Sequence, residues 1–187
     1  MLILSPGPAN ISERVRSKLT LPDIGHRDIQ FTELLNACRS LILQLCNVKN
    51  NYQSVVINGS GTAAIESVVS AVNGSMQGIL VLSNGVYGTR AAEIASVYGV
   101  SCDEVGFDWT QPIDLQRVTE AIRRTKNDVV YIVHHETTTG MLNPLSTVAN
   151  IAKDYGKWVF VDAISSVGGE VLNLNDWPVD LIIGSSN

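Results

Sequence analysis

Cysteine is scarce in this sequence: three residues, Cys38, Cys46 and Cys102, with no C-x-x-C pair among them. That count and spacing exclude a disulfide framework and a cysteine-based zinc cluster, and point to a reducing, cytoplasmic compartment. All three are expected to be buried apolar thiols. Charge is also sparse. Only 17% of the 187 residues are Asp, Glu, Lys or Arg, while 45% are hydrophobic, which excludes disorder as a description of the chain. A net charge of −5 leaves no basic surface for general nucleic-acid binding. No apolar run reaches the roughly 18–20 residues that span a bilayer, and the first six residues lack the charged start of a signal peptide. A soluble protein with neither a nucleic-acid nor a membrane partner is expected.

What is present alternates between two periodicities. Phe31, Leu34, Leu35, Cys38, Leu41, Ile42 and Leu45 recur at helical spacing. Ser54-Val55-Val56-Ile57 is a short β-branched run that stops at Asn58-Gly59 and reads as a strand. Ile65, Val68, Val69 and Val72 mark the next helix, closed near Asn73-Gly74. A strand over 79–82 follows, then Ser83-Asn84-Gly85 and a helix from about Thr89 to Tyr98. A short strand lies near 102–105. Asp114 can cap a helix carrying Leu115, Val118 and Ile122. Val129–Val133 has no polar alternation, as a strand covered on both faces should. Pro144 and Ser146 open a helix that Gly156 ends. Trp158–Val161 is a strand ending in Asp162, and Leu181–Ile183 is the last strand. Alternation of this kind predicts an α/β fold with a mostly parallel sheet flanked by helices.

In such sheets a ligand lies at the carboxyl ends of the strands. Those ends carry Gly59-Ser60-Gly61-Thr62, Asn84–Gly88 with Tyr87, His134-His135-Glu136 followed by Thr137-Thr138-Thr139-Gly140, Asp162–Ser166, and Gly184–Asn187. The glycine turn enters a helix, where free amides and the helix dipole attract an anion. It can equally be a tight turn with Thr62 as N-cap. It also fits G-x-G-x-x-A, the dinucleotide fingerprint, although the next strand ends in Ser83-Asn84 without the acidic residue that fingerprint needs. Asp162 can pair with a cationic ring nitrogen or a metal, or cap the following turn. His134 and His135, adjacent on an extended segment, point to opposite faces and do not make a metal site. Tyr87, in its glycine-rich loop, can stack on a planar ligand. Together these residues describe a site for a flat, cationic, phosphorylated ring.

On these motifs the sequence resembles the class V aminotransferases of fold-type I, which use pyridoxal 5′-phosphate, and among them the 2-aminoethylphosphonate–pyruvate transaminases. The stretches that carry the resemblance are Ser5–Pro8, Gly59–Thr62, Asn84–Gly88, Glu136–Leu142, Val161–Ala163 and Ser185–Asn187. It implies that Ser60, Gly61 and Thr62 hold the cofactor phosphate. Tyr87 and Ile164 would lie on the two faces of the ring, and Thr137 near its phenolic oxygen. Asp162 would bind the ring nitrogen, Asn187 would precede the Schiff-base lysine, and Gly7 would line the substrate side. The lysine would be the residue after Asn187, with a small C-terminal domain beyond it. Residues 1–187 are then expected to hold the N-terminal segment and most of the large domain, and to be inactive alone. The resemblance further implies a homodimer and transfer of an amino group from 2-aminoethylphosphonate to pyruvate. An alanine– or serine–glyoxylate transaminase is the alternative enzyme.

Overall fold

A computed structural model describes residues 2–3, 7, 9–48 and 52–186. In chain order the elements are α1 (Glu13–Arg16), a 3-10 turn (Ser17–Thr20), α2 (Ile29–Leu45), α3 (Gly61–Val72), β1 (Ile79–Ser83), α4 (Val86–Val97), β2 (Cys102–Gly106), α5 (Leu115–Arg124), β3 (Val129–Val133), β4 (His135–Glu136), β5 (Met141–Leu142), α6 (Leu145–Asp154), β6 (Trp158–Asp162) and β7 (Leu181–Ile183). The main sheet runs β2-β1-β3-β6-β7 with every pairing parallel, and β4 and β5 form a small antiparallel hairpin.

Side chains alternate across the buried strands as a pleated sheet requires. Leu80, Leu82, Val130, Ile132, Val159 and Val161 face one layer, filled from α5 and α6 by Val118, Ile122, Leu145, Val148 and Ala152. Ile79, Val81, Val129, Tyr131, Val133 and Phe160 face the other, filled from α3 and α4 by Ile65, Val69, Ala91, Ile94 and Ala95. Cover on both faces is why these strands read as unbroken apolar runs. Asp114 caps α5 by accepting the Gln116 and Arg117 amides at 2.8 and 3.3 Å. Gly156, at φ 68°, turns the chain out of α6 in the left-handed region that other residues avoid.

The chain order of the strands decides where a ligand can sit. From β1 the chain steps outward to β2, and then crosses back to place β3 on the other side of β1. The loops leaving β1 and β3 therefore diverge to opposite faces and leave a crevice at their carboxyl ends. An amide pair spans it: Asn84 donates to Asn143 Oδ1 at 2.9 Å, and Asn143 donates to Asn84 Oδ1 at 3.0 Å and to the Val133 carbonyl at 2.8 Å.

Four expectations from the sequence change. Residues 54–57 form no strand and pair with none among the described residues, and Val55, Val56 and Ile57 are exposed. The apolar face of α2 is present, yet no residue of that helix is buried, so its period finds no core among the described elements. Cys38 accordingly is exposed and Cys102 half-buried; only Cys46 is a buried thiol. Finally, α4 begins at Val86, three residues early, which puts Tyr87 in a helix and not a loop.

Ile132, fully buried on β3 at the sheet's centre, should be among the costliest positions to truncate. Ile132→Ala is expected to lower the unfolding free energy of the full-length protein by about 3 kcal/mol in urea denaturation. A loss below about 1 kcal/mol would mean that the two layers do not meet there as described.

Candidate active site

α3 starts where the glycine turn ends. Its N-cap is Ser60, not Thr62: Ser60 Oγ accepts the Ala63 amide at 3.2 Å, and Ser60 is the last extended residue before the helix. Among the described residues the Ser60 hydroxyl donates no hydrogen bond of its own. The amides of Gly61 and Thr62, the first two of the helix, make no hydrogen bond among the described residues, nor does the Thr62 hydroxyl. They form the positive end of a twelve-residue helix. Gly61 packs directly on Ile164, since a methyl there would come within 2.7 Å of Ile164 Cδ1. Turn and aliphatic side chain are thus neighbours although 103 positions separate Gly61 from Ile164.

Asp162 ends β6 and is only 3% exposed. One carboxylate oxygen accepts the Ile164 amide at 2.9 Å, the other faces the Tyr131 hydroxyl at 3.4 Å, and no ion pair reaches it among the described residues. Burial pushes its carboxyl up from 3.8 to about 6; the two hydrogen bonds pull it down, and the Glu136 charge nearby adds to the rise. Tyr131, wholly buried beneath it, is itself held well above the ordinary phenol value, first by burial and then by the Asp162 charge.

Tyr87 lies half-buried in the first turn of α4, against the same core layer as Ile164. The Arg90 guanidinium sits over its ring, 5.2 Å from the centroid. Of the three consecutive threonines, Thr138 and Thr139 are used locally: Thr138 bonds Glu136, and Thr139 bonds the Glu136 carbonyl and the Met141 amide. The Thr137 hydroxyl has no hydrogen bond among the described residues. Gly7 is exposed on the N-terminal segment, and among the described residues no hydrogen bond ties it to the crevice. Ser5, Pro6, Pro8 and Asn187 lie outside the described residues.

His134 is buried, with Nδ1 3.0 Å from Ser166 Oγ, and burial lowers its pKa. His135 leads out along β4. Among the described residues no group of His, Cys, Asp and Glu could hold a metal ion.

These residues fit a flat cation bearing a phosphate. Among the described residues, a buried carboxylate without a counter-charge bonds the Ile164 amide, Ile164 packs on the first residue of a helix whose leading amides are free, and Tyr87 packs in the same apolar layer as Ile164. The family profile described as aminotransferase class-V matches residues 13–187. The chain belongs to the class-V aminotransferases. Over its whole length it is 36% identical to the 2-aminoethylphosphonate–pyruvate transaminase of Vibrio cholerae, and it covers 51% of that protein. Ureidoglycine–glyoxylate aminotransferase from Bacillus subtilis superposes with a TM-score of 0.91 at 28% identity, over 97% of this chain and 47% of that one. Alanine–glyoxylate aminotransferase from Nostoc sp. gives 0.90 at 29%, over 99% and 49%. The chain spans about half the length of the curated relatives it matches. Class-V aminotransferases generally depend on pyridoxal phosphate.

Four side chains beside this crevice carry no signal of their role in the sequence. Glu136 stands within a motif but among threonines; its burial, at 0% exposure, is a tertiary fact. Asn84 and Asn143 signal only as polar residues beside apolar runs. Tyr131 reads as one more strand residue.

The Asp162 shift has a definite sign. Between about 4 and about 6 the folded protein holds a proton that the unfolded chain has released, so stability falls as pH rises through that window, and the loss is complete above about 6. Its full size is roughly 3 kcal/mol. In the cofactor-free full-length protein, Asp162→Asn should flatten this fall and be the more stable form at pH 7. Urea denaturation across pH 4–7 measures it; parallel curves would remove the buried-charge penalty from the account.

Proposed function

We propose that the full-length protein is a pyridoxal 5′-phosphate-dependent transaminase that passes the amino group of 2-aminoethylphosphonate to pyruvate, giving phosphonoacetaldehyde and alanine. The observation that carries the reading is a buried Asp162 carboxylate, without an ion pair among the described residues, that is bonded to the Ile164 amide, while Ile164 itself packs on the first residue of α3. Identity over the whole chain to a relative of that name supports the choice of substrates.

In this reading Ser60, Gly61 and Thr62 receive the phosphate, whose charge is favoured at the positive end of α3. Tyr87 packs on one ring face and Ile164 on the other, and Thr137 offers its hydroxyl to the phenolic oxygen. The cofactor, when bound, supplies an electron sink for the carbon that loses its proton. Asp162 keeps a proton on the ring nitrogen: two opposite charges in a dry site favour each other, which also brings the carboxyl back down. Its place on a rigid strand fixes that contact. The lysine that would follow Asn187, a smaller C-terminal domain, and Gly7 on the substrate side belong to the same proposal, as do a cytoplasmic location and an amine donor and 2-oxo acid acceptor as partners.

Two measurements test it. With 2-aminoethylphosphonate as donor, the full-length protein should form alanine from pyruvate faster than with alanine or serine as donor and glyoxylate as acceptor; the reverse order makes it a glyoxylate transaminase. Asp162→Asn should slow single-turnover proton abstraction on the order of a hundredfold, as about 3 kcal/mol of transition-state stabilisation requires. A wild-type rate would make Asp162 a turn cap.

A homodimer is part of the reading too. Light scattering of the intact holoenzyme should give twice the chain mass, and a monomeric mass at working concentration would refute this.

A further inference from the structure

The N-terminus of α4 has no cap of its own. Its N-cap residue is Gly85, which carries no side chain, and yet the helix begins sharply at Val86 and carries Tyr87 in its first turn. The missing acceptors come from another strand. Glu136 Oε2 accepts the Tyr87 amide at 3.3 Å. Glu136 Oε1 accepts the Thr138 amide at 3.1 Å and the Thr138 hydroxyl at 2.6 Å. Thr138 Oγ1 in turn accepts the Val86 amide at 3.3 Å. The first two amides of α4 thus end, directly or through one hydroxyl, on a single carboxylate that is fully buried and ion-paired to nothing among the described residues. Gly85 makes room for it: a methyl there would lie 2.4 Å from Glu136 Cγ and Cδ.

We infer that Glu136 is a positioning residue of the active site: a buried carboxylate that caps α4 from across the crevice and so sets the Tyr87 ring in place. This rests on the cofactor reading given above, in which Tyr87 packs on the ring. A buried carboxylate that takes one helix amide directly and a second through the Thr138 hydroxyl is a strong acceptor, since charge-assisted hydrogen bonds strengthen where water is absent. Glutamine cannot replace it. Its amide nitrogen would meet either the Tyr87 amide or the Thr138 donors, and donor would face donor.

The test uses the full-length protein and two readouts. In the cofactor-free form, Glu136→Gln should speed hydrogen exchange at the Val86 and Tyr87 amides roughly tenfold while α3 stays protected. With pyridoxal phosphate as the probe, Glu136→Gln should weaken binding about fivefold to tenfold in the wild-type background and hardly at all in a Tyr87→Ala background, because the residue acts through Tyr87. Equal losses in both backgrounds, or unchanged exchange at α4, overturn the inference. Should Glu136→Gln not fold, Thr138→Val, at an exposed position, must still loosen the Val86 amide; no change there overturns it as well. If wild-type protein binds no cofactor, the functional reading fails while the exchange experiment still decides whether Glu136 caps α4.

Discussion

Parallel pairing is the constraint from which the rest follows. Five strands hydrogen-bonded in one direction present all their carboxyl ends on one edge, and successive strands must then be joined by crossovers, of which three pack a helix, α4, α5 or α6, on one face or the other. Where the crossovers diverge, between β1 and β3, the sheet cannot close over its own edge. The Asn84–Asn143 amide pair holds that opening at a fixed width, satisfying four polar groups that burial would otherwise leave unmatched. Side chains after β1 and in the connection after β3 meet across that opening, and Gly61 at the start of α3 packs on Ile164 in the loop after β6.

Within it the electrostatics are one-sided. Asp162 and Glu136 are both buried carboxylates, and neither has a cation partner among the described residues. They differ in how they are satisfied. Glu136 receives three hydrogen bonds from amides and a hydroxyl, an arrangement that suits a structural acceptor. Asp162 receives one good bond and one long one, and burial raises its carboxyl to about 6. An incompletely satisfied acid at the end of a rigid strand is suited to meeting a cation, and the leading amides of α3, free among the described residues, are suited to meeting an anion. A bound molecule carrying both charges would relieve both ends at once. Carboxylate and helix terminus thus support the class-V assignment on physical grounds separate from sequence identity.

The apolar surface left over has a simpler cause. α2 carries hydrophobic residues at helical spacing and 55–57 are a continuous apolar run, and Leu34, Leu41, Ile42, Leu45, Val55, Val56 and Ile57 all remain exposed. Periodicity reports that a face wants burial; it does not say against what.

From the sequence alone, the strand–helix alternation, the parallel sheet, the glycine turn entering a helix and the acid ending a strand were all legible, because each depends on local periodicity or on residues within a turn of one another. Pairing could not be read for 54–57, since a β-branched run becomes a strand only beside an edge. The start of α4 was misplaced by three residues for a related reason: its cap is Glu136, 50 positions after Val86 in the sequence, and no local rule sees an acceptor delivered from another strand. Burial of Asp162 and Glu136, the contact of Gly61 with Ile164, and the amide pair across the crevice were likewise decided only by the tertiary structure. Local sequence sets which groups a segment offers; the distance across folded space sets which groups meet, and how strongly, once water is excluded between them.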